Sequence, residues 1–468
     1  MLMDFFILMK AELMVTLIIF LLLFLKLGNT EWTNDSLLRL INFILLLNFV
    51  SGFFFSKSGT LFGDMFETNE LVRFQKNILN LGTLLISLQS GNWLKRHKHV
   101  PEFYLLILST LLGMFFLISS RNLLLFYLGL ELATIPLAAL SNFDLESRRS
   151  SEAAFKMIIS SAFSSGLLLF GISLLYGTTG SLNFADISSQ LNGSPLQIFS
   201  FILLLAGFGF KISIVPFHFW TADVYEGSPV AVTSFLSVIS KGAFLFAMVS
   251  LLYNVFRAPA NDWYNMIALL SIVTMITGNL FALRQQNMKR FLAFSSITQI
   301  GFILIGISGQ SPEGSASVIY FILIYLFSNL GAFGVIALVS AVAGKENLDD
   351  YKGFYKTNPL LSWALAISLF SLAGIPPTAG FFGKFFLLLA GAGKGHYLLI
   401  IIAALNMVVA LYYYLKVIKV MFMDVNDNPV AKIKTEFRPK VALLICLAGI
   451  FITGLASGAY HYIYSLMK

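Results

Sequence analysis

The chain contains one cysteine, Cys446, and five histidines in 468 residues. A single cysteine excludes a disulfide framework and any cysteine-held iron–sulfur or zinc cluster. Two histidines fall in the basic stretch LKRHKHVP and a third, His461, lies near the C-terminus, which argues against a bis-histidine haem. Charge is also scarce. Asp, Glu, Lys and Arg make up 12% of the chain, against roughly 25% in soluble proteins. Hydrophobic residues make up 57%, with 47 phenylalanines and a mean hydropathy of +0.83. A soluble enzyme of this composition would lack the polar surface to stay in solution, so the class is a polytopic helical membrane protein.

Other absences narrow the chemistry. There is no phosphate-cradling GxxxxGK[ST], no HExxH and no nucleophile elbow, and GFGFKI lacks the third glycine and preceding strand of a dinucleotide fold. The sequence offers no means of handling electrons and no metal or cofactor site, so its energy comes from a gradient or from partner subunits. The net charge of +8 sits in short loops between apolar runs. That placement fits membrane topology and anionic lipid and does not suit nucleic acid.

Windows of about 20 apolar residues centre on 5–26, 37–56, 71–90, 102–120, 122–142, 153–176, 196–219, 228–254, 263–283, 291–309, 315–343, 359–391, 397–422 and 440–463. This predicts an all-α fold of about fourteen transmembrane helices in one membrane domain. The first window carries Asp4 and has no basic leader or small-residue cleavage site, so it is expected to be a retained helix. The third is the weakest, because LVRFQKNILN opens with charges. The segments KRHKH, SRR, LRQQNMKR, KENLDDYKGFYK and KIKTEFRPK all follow odd-numbered windows. Even-numbered loops hold only Lys57, Arg73, Arg121, Arg257 and Lys394. The positive-inside rule puts the odd loops in the cytoplasm and both termini on the periplasmic side.

Two windows are too interrupted to be plain helices. One contains Gly207, Gly209, Lys211 and Pro216; the other reads SLAGIPPTAGFFGKFF, with Pro376, Pro377 and Lys384. Proline removes a backbone donor, and a broken backbone survives in lipid only where protein or water satisfies the freed groups. Matched interrupted segments five windows apart imply two inverted five-helix repeats, each with a broken helix. The repeats span residues 101–254 and 263–422, after an N-terminal three-helix unit (1–100) and before a last helix (440–463).

Five ionisable residues interrupt apolar runs: Glu131, Lys156, Lys211, Lys241 and Lys384. A charge at mid-bilayer costs about 2.5–3.5 kcal/mol on insertion scales, so each must face the bundle interior, pair, or line water. Lys156, one turn into its run, is also placed to snorkel to the interface. Glu131 and Lys241 sit mid-run, as either relay groups or a structural ion pair. His218, beside Pro216, is either a relay group or a core histidine bonded to a carbonyl that the proline frees. Groups of this kind, linked by the serines of IISSAFSSG and SFLSVISKG, suit proton relay.

In order, GLELATIPLAALSNFD, SSEAAFKMIISSAFSSGLLLFGISLLYGTTGSLNF, GFGFKISIVPFHFWTADVYEGSPVAVTSFLSVISKGAF, MKRFLAFSSITQIGFILIG and SLAGIPPTAGFFGKF resemble the antiporter-like membrane subunits of respiratory complex I. The wording is most like the bacterial N type of NADH–quinone oxidoreductase. Mrp-type cation/proton antiporter subunits are the alternative family. The resemblance covers about residues 100 to 420 and reaches the first three windows only in hydropathy. It implies a proton-translocating subunit of the bacterial inner membrane, partnered by other membrane and peripheral subunits. NADH, FMN, iron–sulfur clusters and quinone would be bound by those partners and not by this chain. It further implies Glu131 and Lys211 as a proton-pumping pair, Lys156 as their modulator, Lys241 as the central relay, His218 beside the break and Lys384 as the terminal site. The family often has a histidine where this chain has Gln299, which cannot titrate, so a step there must use water or the amide. A structural spacer, in which the charges only fix helix pairing, is the remaining class.

Overall fold

The computed structural model describes residues 2–28, 32–54, 57–256, 260–393, 395, 397–426, 428–456 and 458–467. Helices dominate. In chain order they are α1 (Lys10–Leu27), α2 (Asn34–Ser51), α3 (Glu70–Gln89), α4 (Val100–Ser119), α5 (Leu123–Ser141), α6 (Arg148–Thr179), α7 (Pro195–Ile212), α8 (Phe219–Gly227) and α9 (Val230–Asn254). There follow α10 (Ala260–Ala282), α11 (Met288–Ser308), α12 (Pro312–Ala343), α13 (Pro359–Ala373), α14 (Ala379–Ala392), α15 (Tyr397–Phe422), α16 (Phe437–Leu455) and α17 (Gly458–Ser465). Shorter helical turns fill the connections, and β1 (Gly59–Leu61) pairs antiparallel with β2 (Phe66–Thr68).

Among the described residues, ten helices are long and apolar enough to cross a membrane by length and composition: α4 to α7, α9 to α12, α15 and α16. The chain is an integral membrane protein. Helices α13 and α14 are the two halves of one interrupted run, and α7 and α8 stand in the same relation. The first apolar window is also divided, at Met9, and the last is divided after Leu455. Helices α1 and α3 each carry three charged residues, among them Glu12 and Lys76.

Burial sorts the helices into a centre and a rim. The apolar window of α11 is buried throughout and that of α9 over 94%. By contrast α6 turns Phe155, Ile159, Phe163 and Phe170 outward, a face suited to lipid or another subunit. Close packing of α4 on α5 rests on small residues: a Cβ on Gly113 would lie 2.3 Å from the Ala133 nitrogen.

Loops after odd-numbered windows gather at one end of the bundle and those after even-numbered windows at the other. At the first, basic end, Lys95 pairs with Glu436 (2.7 Å) and Asp35 (3.1 Å), and Asn287 bridges to Asn347. A cavity of about 480 Å³ opens there, lined by His97, Asp144, Lys289 and Glu346 among others. Burial pushes the Asp144 carboxyl above the ordinary carboxylate range, against the pull of His97. At the opposite end β2 meets Ser120, and Asn122 bridges to Asn183. Each even-loop base described there is matched by an acid: Lys57 by Asp4, Arg73 by Glu70 and Arg121 by Glu67. Arg257 and Lys394 lie outside the described residues.

Cys446 is buried and is the only cysteine, so a Cys446→Ala background is free of thiols. In it, Lys98→Cys and Gln190→Cys should react with a membrane-impermeant maleimide from opposite sides of a vesicle. Labelling of both from one side would contradict the two-ended loop arrangement.

Candidate functional site

The two helix breaks are built alike. Helix α7 ends in Ser213 and α13 in Gly374, both left-handed, at φ 67° and 87°. At each, the next amide reaches back five residues: Ile214 N to Gly209 O (2.8 Å) and Ile375 N to Phe370 O (3.0 Å). In each turn the cap amide also bonds the next carbonyl, Ser213 N to Phe210 O (3.2 Å) and Gly374 N to Ser371 O (3.0 Å), and the carbonyls after it lack a backbone donor. Two residues further on, both breaks carry a cis prolyl peptide.

Side chains from the second half-helix reach the end of the first, in the first break adding to a carbonyl that the backbone already bonds and in the second taking two that it leaves open. In the first break the Trp220 indole donates to Phe210 O (2.9 Å). In the second, the Lys384 ammonium donates to Leu372 O (2.8 Å) and Ala373 O (3.1 Å), and stands 4.8 Å from the Phe302 ring centroid. The C-terminal end of a helix carries partial negative charge, so an ammonium there replaces part of its lost hydration. Lys384 is 0% exposed. Lys211 sits before its break and Lys384 after, so the two lysines occupy non-equivalent places. The position equivalent to Lys384 relative to the left-handed cap is Asp223.

Lys211 is buried and donates to Ser165 Oγ (3.3 Å). It lines a cavity of about 20 Å³ with Thr134, Ser160, Ser164 and Ser240, large enough for a water molecule. Glu131 is the carboxylate whose field reaches Lys211. The two do not touch: no ion pair joins them among the described residues, and the buried Glu131 Oε1 accepts no hydrogen bond.

Lys241 stands where α9 changes pitch. Residues Phe235–Ser240 form a π turn, a feature concentrated at functional sites. Before it, Ser234 bonds back to Val230 O within its own helix. Inside it, Ser237 instead crosses to Tyr325 OH and receives Asn329 Nδ2, both at 3.1 Å. Lys241 is 1% exposed, donates to Ser296 Oγ at 2.8 Å and lies 5.4 Å from the Tyr225 ring centroid. No carboxylate pairs with Lys241 or Lys384 among the described residues.

Gln299 fills the space between Lys241's partner helix and Lys384. Its Nε2 donates to Leu372 O (3.0 Å), which Lys384 also uses, and to Tyr414 OH (3.2 Å). Tyr414 in turn shares a short hydrogen bond with Ser295, next to Ser296. The amide therefore stands in the row as a bridge. Lys241 and Lys384 are thus joined through Ser296, Ser295, Tyr414, Gln299 and Leu372 O, while Lys211 lines a cavity whose wall includes Ser240, the residue before Lys241.

Two residues stand apart from that row. Lys156 is partly exposed and pairs with Glu152 and Asp223, each at 2.6 Å. Arg290 extends this network to Asp223 (2.6 Å) and Glu226 (3.0 Å). His218 is 5% exposed, and its Nδ1 has no hydrogen-bond partner. Sequence reading overlooked the Asp223–Arg290–Glu226 network, whose members lie about one repeat element apart, and a second buried pair, Glu12–Lys76 (2.6 Å). Each member of that pair lies within an apolar window but close to another charge, Lys10 or Arg73, which hides it from hydropathy.

Residues 120–410 match the family described as "NADH:quinone oxidoreductase/Mrp antiporter, TM". The chain belongs to this family. Among its relatives, NADH-quinone oxidoreductase subunit N of Phocaeicola vulgatus is 45% identical over 462 residues, covering 97% of each chain. Subunit N of Azobacteroides pseudotrichonymphae is 43% identical over 472 residues, covering 98% of each. A chain of respiratory complex I from Thermus thermophilus superposes with a TM-score of 0.82 at 28% identity, over 96% of this chain and 97% of that one. A chain of the Mrp complex from Dietzia shares the fold, with a TM-score of 0.85 at 19% identity over 98% and 96%.

A Cβ on Gly380 would lie 1.7 Å from Ser371 O. Gly380→Ala must spread α13 from α14, and overpacking of this kind costs about 1–3 kcal/mol. The expected result is a thermal midpoint several degrees lower in detergent. Gly393→Ala, whose added Cβ meets its nearest atom at 3.5 Å, should leave the midpoint unchanged.

Proposed function

We infer that this chain is the N-type proton-translocating membrane-arm subunit of NADH:quinone oxidoreductase. The near full-length identity to subunit N supports that type over the Mrp-type antiporter, whose likeness is of fold alone. The subunit sits in the bacterial inner membrane with the basic end in the cytoplasm and both termini periplasmic. NADH, flavin, iron–sulfur and quinone chemistry belongs to the other subunits, whose turnover drives this one. About fourteen helices cross the bilayer, as two inverted five-helix repeats (101–254 and 263–422) behind a three-helix unit and before a last helix. The matched backbone of the two breaks supports the repeat.

The observation that carries the functional reading is the row of three buried lysines, two of them with no carboxylate beside them. Burial in a dry interior disfavours the charged form, and a like charge nearby disfavours it further. Adjacent lysines in the row therefore do not hold protons with equal ease at the same moment, and a proton arriving at one drives the next off. Glu131 sets the charge of Lys211 through its field. The Lys156–Asp223–Arg290 network, centred on the second half-helix of the same break, modulates it. From Lys211 a proton passes along the serine-lined cavity to Lys241, then past Ser296 and the Tyr414–Gln299 pair to Lys384. Gln299 orients donors there and carries no charge. His218, beside the first break, is the most peripheral member.

Lys211→Ala or Glu131→Ala should largely abolish quinone-coupled proton uptake into vesicles while assembly stays near normal. Unchanged uptake in an assembled variant would overturn the relay, and failure to assemble would support the spacer class instead. The tagged chain, solubilised in mild detergent, should co-purify with iron–sulfur subunits. Recovery with small antiporter subunits alone would favour the Mrp type.

A further inference from the structure

Glu12 on α1 and Lys76 on α3 form an ion pair at 2.6 Å, with side chains 1% and 3% exposed. Both lie outside the family-matched residues 120–410, and the relay described above does not use them. The Lys76 ammonium also stands 3.4 Å from Thr68 Oγ1 and 5.1 Å from the Phe66 ring centroid, beneath the β-hairpin. The one other charged group whose field reaches it is Arg73, one turn earlier on α3 and paired with Glu70.

The pair is poorly built as a staple. A buried ion pair holds helices together well only when its remaining lone pairs and protons are satisfied. Glu12 accepts no well-formed hydrogen bond on either buried oxygen, and among the described residues Lys76 is the one base paired with it. The carboxylate is thus held in place by a single ammonium.

The pair also ends a polar row. Lys76, Asn80, Thr83 and Ser87 recur at four-, three- and four-residue steps, which places them on one face of α3. All four are buried. Asn80 Oδ1 accepts from Asn48 Nδ2 (2.8 Å); Ser87 Oγ bonds Asn42 Oδ1 (2.7 Å) and Tyr104 OH (2.6 Å). Just beyond, Gln89 and Ser90 line the 480 Å³ cavity at the basic end. The row thus runs from a roomy polar vestibule to an ion pair under the opposite end of the bundle.

We propose that Glu12 and Lys76 form a second proton-transfer site, served by the polar face of α3 and distinct from the Lys211–Lys241–Lys384 row. The proposal rests on the proton-translocating reading of the chain. A proton arriving from the vestibule converts the Glu12 carboxylate to the acid and cancels the counter-charge of Lys76. The unpaired ammonium then gives a proton past the Thr68 hydroxyl to the hairpin end. Glu12 passes its proton to the free amine, and the ion pair is restored. One proton enters and one leaves, and no electron moves.

The test measures protons moved per NADH oxidised in membrane vesicles carrying the whole complex. Glu12→Met with Lys76→Met replaces the pair by apolar chains of similar length, which a merely structural pair tolerates. Glu12→Gln with Lys76→Gln removes both charges and keeps a polar contact. A lower proton-to-NADH ratio at normal assembly and NADH oxidation, in either double variant, supports the site. A wild-type ratio in an assembled double variant overturns it. Failure of both double variants to assemble also overturns it, by making the pair a staple. Lys211→Ala in the same vesicles separates the two readings: if it alone stops pumping, only the second site is wrong, and if it pumps normally, the relay itself is wrong.

Discussion

A helix broken inside an apolar medium exposes carbonyls that have no water to turn to, and everything at the centre of this protein follows from how those carbonyls are filled. At the second break the filler is an ammonium: Lys384 takes Leu372 O and Ala373 O. At the first it is an indole, Trp220 on Phe210 O. The break thus supplies what a buried lysine needs, oriented dipoles in place of water, and the lysine supplies what the break needs, donors. Neither feature is stable alone in lipid, where an unpaired carbonyl and an unsolvated charge are each costly. Together they offset one another.

This pairing also explains why the site is spread over several helices. A lysine bonded to carbonyls and hydroxyls keeps its position whether or not it holds its third proton, because a neutral amine still donates two N–H and a serine hydroxyl can donate to its lone pair. Lys211 on Ser165, Lys241 on Ser296 and Lys384 on a carbonyl shared with Gln299 all follow that pattern. A carboxylate at each lysine would instead pin the proton in place. Glu131 acts on Lys211 without touching it, so no ion pair fixes the ammonium in place.

Much of this architecture was legible in the sequence, for definite reasons. Apolar windows read as helices because no other spanning structure satisfies every backbone group within its own segment. The breaks at Pro216 and Pro376–Pro377 read as breaks because proline and glycine have few other uses there. Lys211, Lys241 and Lys384 stood out because their neighbours are apolar. Other features left no such contrast. Glu12 follows Lys10, and Lys76 follows Arg73 by one turn, so hydropathy averages them into helix ends. Lys156 was open to either place, the buried row or the interface, and its pairing with Asp223 sets it at the basic end. Periodicity gives no sign of the π turn before Lys241, since all six of its residues are buried whichever ladder they form.

The unlike placement of the two break-associated charges bears on direction. Relative to the left-handed cap, Asp223 occupies the place of Lys384, yet it faces Lys156 and Arg290 near the basic end while Lys384 is sealed inside. An inverted pair of repeats with equivalent charges would treat the two sides of the membrane alike, and a relay built from them would run equally well both ways. Exchanging an acid for a base at one equivalent position removes that equivalence. One half then ends in a solvated network rich in both signs, and the other in a dry ammonium held by backbone. A proton entering by the first meets carboxylates that compete for it, while one reaching the second meets only a like charge. The two breaks therefore share a backbone and differ in the charge they carry.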